Sequence, residues 1–141
     1  MTPDQFRELC RATCRQLDHS DTEALFEGAG VLVDGVRLGL FHDETVDPLG
    51  IYCSIDLGEI DAHPDAQRVM ENLLAINLEL NVARSETIGL ERETRRLVWR
   101  ARLGGDEETA HEGYLAEQLR HYAGEAHALF ERVLSGAARP D

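Results

Sequence analysis

Four carboxylates, on Asp56, Glu59, Asp61 and Asp65, crowd a short stretch ahead of a helical pattern. Two of them held together would make a general acid–base pair. Acidic residues at a helix start also complement the helix dipole, and that structural role is the preferred reading. Cys10 and Cys14 stand one helical turn apart and could turn one face toward a metal. A thiolate zinc site wants four ligands, however, and no CxxC or HxxxH pair is present to complete one. His121 has Glu117 and Glu125 one turn away on either side, the spacing of exposed helix pairing more than of a catalytic or metal site. Ser54 and Ser85 lie near predicted strands without a base at suggestive spacing. Gly28-Ala29-Gly30 precedes a strand, so it cannot seat a pyrophosphate on a helix N-terminus. GxSxG, P-loop and HExxH motifs are absent. The expectation is a chain that is not an enzyme and holds neither a metal nor a cofactor.

Charge narrows the partners. Arg92, Arg95, Arg96, Arg100 and Arg102 gather positive charge on one predicted hairpin, and Arg96, Val98, Arg100 and Arg102 share its outer face. Yet 27 acidic residues stand against 14 basic ones, all arginine, for a net charge of −13. A field this negative repels phosphate backbones, so nucleic acid is not an expected partner. Salt bridges to acidic helices, or steering of an acidic partner segment, are the better readings of the arginines.

The elements that would position these residues follow from periodicity. The 141 residues suit one domain, 1–141, with a single core and a frayed C-terminus. Thr2-Pro3-Asp4-Gln5 reads as a helix start, and Phe6, Leu9, Cys10, Thr13 and Leu17 recur at helical spacing over about residues 3–18. Leu25-Phe26 is a possible hydrophobic latch in an otherwise polar stretch. Val31-Leu32-Val33, Asp34-Gly35 and Val36 to His42 form a hairpin signal, because Asp-Gly tolerates the positive φ of a type I′ turn. Leu49, Ile51, Cys53, Ile55 and Leu57 alternate through a third strand. Pro64 opens a central helix over about residues 64–82. Ile88 and Leu90 mark a fourth strand; Leu97, Trp99, Ala101 and Leu103 alternate through a fifth. Thr109-Ala110-His111-Glu112 supplies a capping box for a last helix of about residues 109–134, ended by Gly136. The order α-β-β-β-α-β-β-α predicts an α+β fold, an antiparallel sheet packed against helices.

No apolar run approaches the roughly 20 residues needed to cross a bilayer, and the N-terminus lacks a signal-peptide core, so cytoplasm is expected and a membrane is not. An odd number of cysteines fits a reducing compartment and buried structural thiols.

The central helix is apolar on two sides. Val69, Leu73, Ile76 and Leu80 form one stripe; Met70, Leu74, Asn77 and Leu78 form a second. A chain of this length supplies one core, so the second stripe predicts contact with another protein chain.

Asn72-Leu73-Leu74-Ala75-Ile76-Asn77, then Gly89-Leu90, then Glu93-Thr94-Arg95-Arg96-Leu97-Val98-Trp99-Arg100-Ala101-Arg102-Leu103 resembles the class I type III secretion chaperones of the Tir chaperone (CesT) family. There an LLxxN helix leads into a hairpin, and Arg95 stands where that family frequently has Gly. The resemblance implies a homodimer without enzymatic activity that keeps the N-terminal segment of a secreted effector extended, soluble and secretion-competent. Secretion-apparatus components are further candidate partners. It also implies a dimer contact through Leu74, Asn77, Leu78, Asn81, Ile88 and Leu90. Effector contact would fall on Phe6, Leu9, Thr13, Leu17, Leu38, Leu40 and Ile51. The alternative is a small regulatory or structural interaction domain of the same fold that serves no secretion system.

Overall fold

The structure, a computed structural model, describes residues 1–80, 82–104 and 113–135. Helix α1 spans Pro3–Gln16. It starts where the sequence predicts: the Thr2 hydroxyl accepts from the Gln5 N–H, the Gln5 side chain accepts from the Thr2 N–H, and Pro3 needs no partner for an N–H it lacks. It stops at Asp18, whose φ of 56° is left-handed. The His19 N–H then donates to the Cys14 carbonyl and the Asp18 N–H to that of Arg15, a Schellman ending. Arg7 and Arg11 both donate to Glu23, tying α1 to the segment after it. Leu25 is buried and Phe26 sits 6.1 Å from the Phe6 ring, so the predicted latch closes on α1.

Five strands follow among the described residues: β1 (Val31–Val33), β2 (Val36–Phe41), β3 (Ile51–Glu59), β4 (Thr87–Glu91) and β5 (Arg96–Gly104). They form one antiparallel sheet in the order β1-β2-β3-β5-β4. Asp34 and Gly35 both take positive φ, as a two-residue I′ hairpin requires. Burial alternates along β2, along β3 as far as Gly58, and along β5. Leu38, Leu40, Ile51, Cys53, Ile55, Leu57, Leu97, Trp99, Ala101 and Leu103 all point to one covered face. The other face carries Arg37, Phe41, Tyr52, Asp56, Val98, Arg100 and Arg102 and stays open. At the β4–β5 turn, Arg95 itself takes a positive φ of 59°, the conformation glycine usually supplies. Its N–H bonds the Glu91 carbonyl, and its own carbonyl accepts from the Ile60 N–H.

Helix α2 spans Ala66–Asn77 and is shorter than the expected 64–82. Asp65 is its N-cap and accepts from the Arg68 N–H, so Pro64 lies just outside. At its far end the chain tightens into bonds three residues apart, with Leu78 donating to Ala75 and Glu79 to Ile76. Helix α3 spans Tyr114–Leu129 and runs on as a π-helical turn, Phe130–Ser135. The capping box at Thr109–Glu112 and the stop at Gly136 lie outside the described residues. Leu115, Leu119, Tyr122, Ala126, Leu129 and Val133 are buried on one side of it. Helix α3 packs on β1, β2 and β3 and also meets α1, so it closes the covered face of the sheet. The fold is α+β.

Candidate functional site

The outer side of α2 is apolar and bare. Leu74 is 68% exposed and Leu78 90%, one turn apart, while Val69 and Leu73 on the opposite side are buried. Val82, in the turn that follows, is 88% exposed, and Leu90 on the neighbouring strand 36%. Clustered exposed leucines of this kind mark contact surfaces more often than isolated ones do.

Asn77 and Ile88, expected at the same contact, have other roles. Ile88 is buried in the core. The Asn77 side-chain amide donates to the Ile88 carbonyl at 2.9 Å and accepts from the Ile88 N–H at 2.8 Å. It thus imitates a neighbouring strand at one position of β4, which has β5 on its other side. Asn77→Ala removes both bonds and should lower stability by about 1–2 kcal/mol, read as a shift of the urea midpoint. An unmoved midpoint would show that water replaces the amide at no cost. Asn81 lies outside the described residues.

The residues expected to line an effector groove lie in or against the core. Phe6, Thr13, Leu38, Leu40 and Ile51 are all buried, and Leu9 and Leu17 are half-buried against the same core. The Thr13 hydroxyl donates to the Leu9 carbonyl of its own helix. The cause is α3, which covers the apolar face of the sheet that an open groove would need.

The open face carries a polar and aromatic lattice that the sequence reading passed over. Phe41 and Tyr52 stack with ring centroids 5.4 Å apart. The Tyr52 hydroxyl donates to Asp47, which also accepts from Arg102 at 2.8 Å. Arg96 grips Asp56 and reaches Glu59, and Arg95 pairs with Asp61. Arg95, Arg96 and Arg102 therefore pair with acids on β3 and in the segments flanking it, not on the long helices, and antiparallel pairing sets Asp56 opposite Val98 and Glu59 opposite Arg96. With Asp65 capping α2, each member of the acidic cluster has a structural partner. The signal for this face was available: Phe41 and Tyr52 fall on the beat between the core positions.

Cys10, Cys14 and Cys53 are fully buried, and desolvation pushes the Cys10 and Cys53 thiols up to about 12, far from a reactive thiolate. Among the described residues no group of three His, Cys, Asp or Glu could hold a metal ion, and no helix is long and apolar enough to cross a membrane. His121 lies edge-on to Tyr122. No family model matches the chain, and no curated protein matches it.

The ion pairs set an acid limit. The Arg11 hydrogen bond, then that of Arg7, holds Glu23 down to about 2, and Arg102, then Tyr52, does the same for Asp47. A depressed carboxylate stabilises the fold above its ordinary value, and that stabilisation is lost as pH falls toward 2. Between pH 7 and the isoelectric point near 4.8, falling net charge relieves repulsion instead. Melting temperature should therefore decline mainly below about pH 4, with a shallower decline in Glu23→Gln and Asp47→Asn. Equal slopes in all three proteins would remove these pairs from the account.

Proposed function

We propose that the chain is a type III secretion chaperone, a homodimer that holds the N-terminal region of a secreted effector in extended form. The observation that carries the reading is the bare outer side of α2, Leu74 and Leu78, in a domain whose core is already filled by other residues. A twofold contact along this helix would bury the same leucines on both copies at once. The order of elements, the acidic charge and the hairpin motif agree with the resemblance. Because α3 fills the expected groove, the effector segment is assigned to apolar residues left outside: Leu32, Phe41, Val46 and Leu49, all exposed. An extended segment gains main-chain bonds wherever it meets a sheet edge, and pockets beside that edge set its side-chain preference.

Light scattering on the purified chain at micromolar concentration should give twice the monomer mass. A stable monomer there would end the dimer and weaken the chaperone reading with it. Co-purification from the native host followed by mass spectrometry should recover a secreted protein through its N-terminal segment.

A further inference from the structure

The open face of the sheet holds two adjoining hollows that share Thr87 and Arg100. One, of about 360 Å³, is walled by Phe41, Val46, Tyr52 and Arg100. The other, of about 390 Å³, is bordered by Gly89, Arg92, Val98 and Arg100. Most arginines of this region are engaged: Arg37 donates to the Ala29 carbonyl, while Arg95, Arg96 and Arg102 hold Asp61, Asp56 and Asp47. Arg100 differs. It is exposed, lies with Cζ 5.6 Å from the Phe41 ring centroid, and contacts no carboxylate among the described residues.

The carboxylates that border these hollows are already occupied. Asp47 serves Arg102 and Tyr52; Asp43 accepts from the N–H and hydroxyl of Thr45; Glu91 accepts from Thr94 and from the Glu93 N–H. In a chain of net charge −13, a guanidinium without an acid of its own leaves a local excess of positive charge on this face. With Cζ 5.6 Å from the Phe41 ring centroid, the guanidinium keeps its N–H donors available for a bidentate partner.

We propose that this face binds an acidic segment of a partner protein. One carboxylate meets Arg100, and an adjoining aromatic or aliphatic side chain lies against Phe41 and Val46. Charge complementarity names the carboxylate, and the apolar wall beside the guanidinium names its neighbour. Phe41 and Val46 are also given to the effector segment, so the assignment deepens that part of the chaperone reading, while the dimer contact at Leu74 and Leu78 lies on the α2 edge and not on this face.

The probe is a short acetylated and amidated peptide alternating glutamate with phenylalanine, compared with the same peptide carrying glutamine for glutamate. Titration into the full chain at low ionic strength should show the glutamate peptide binding about tenfold more tightly, as a charge-assisted contact implies. Arg100→Gln should erase that preference while leaving the melting temperature unchanged. Arg15→Gln, which removes an exposed arginine of α1, should keep it. Equal binding of the two peptides, no binding of either, or a preference that survives in Arg100→Gln overturns the proposal. A monomer that discriminates between the peptides retains this site and loses the chaperone reading; a dimer blind to the carboxylate does the reverse.

Discussion

Replacing Leu78 with aspartate should convert the proposed dimer to a monomer while each copy stays folded. Leu78 is 90% exposed in the isolated chain, so the substitution removes almost no intramolecular burial. In a twofold contact it removes two leucines at once, each worth about 1.5–3 kcal/mol when buried. The dissociation constant should therefore rise by roughly two to four orders of magnitude, since about 1.4 kcal/mol is one decade. Two aspartates facing across the axis push in the same direction. Against this, an acid at a helix C-terminus costs the monomer only about 0.3–1 kcal/mol. Light scattering across a dilution series, together with a thermal melt, separates the two effects. Leu74→Asp, one turn earlier and also exposed, should behave alike. A mass unaltered in both variants would place the contact elsewhere.

Leu38→Ala should do the opposite, destabilising the fold by about 2–5 kcal/mol without acting first on any partner. Leu38 has no solvent exposure, lies opposite Val31 on one side and Ile55 on the other, and sits on the face that α3 closes. Deleting its side chain leaves a cavity that this close-packed layer fills only in part. Chemical denaturation would show a lower midpoint, and binding would fall only as far as the folded fraction does. Were Leu38 instead part of an open groove, the midpoint would stay and affinity alone would drop. The same experiment on Ile51, fully buried, gives an independent reading.

Much of the architecture was legible because local rules and tertiary packing agree here. The Thr2 cap, the Asp34-Gly35 turn and the alternation through β2, β3 and β5 each depend on neighbours a few residues away. The alternation of Leu38, Leu40 and Ile51 identified a buried face without saying what buries it. Core and groove share one sequence pattern, and only the position of α3 separates them. The end of α2 was hidden for a related reason. Leu80 continues the apolar rhythm of Ile76 past Asn77 because the tightened turn still packs it against the core. The bond that fixes this point, from an amide to a strand eleven residues on, leaves no periodic trace. Arginine partners escaped because strand pairing, not helix proximity, decides which acids lie opposite.

The Asn77 plug has a consequence for how far assembly can go. An unbroken row of outward N–H and C=O groups along β4, an edge strand, invites edge-to-edge pairing with another strand, a process with no natural last member. One carboxamide seated at Ile88 interrupts that row, so lateral growth into fibres meets a missing rung. Removing it should make concentrated solutions turn turbid or gel on gentle warming, long before the domain itself melts.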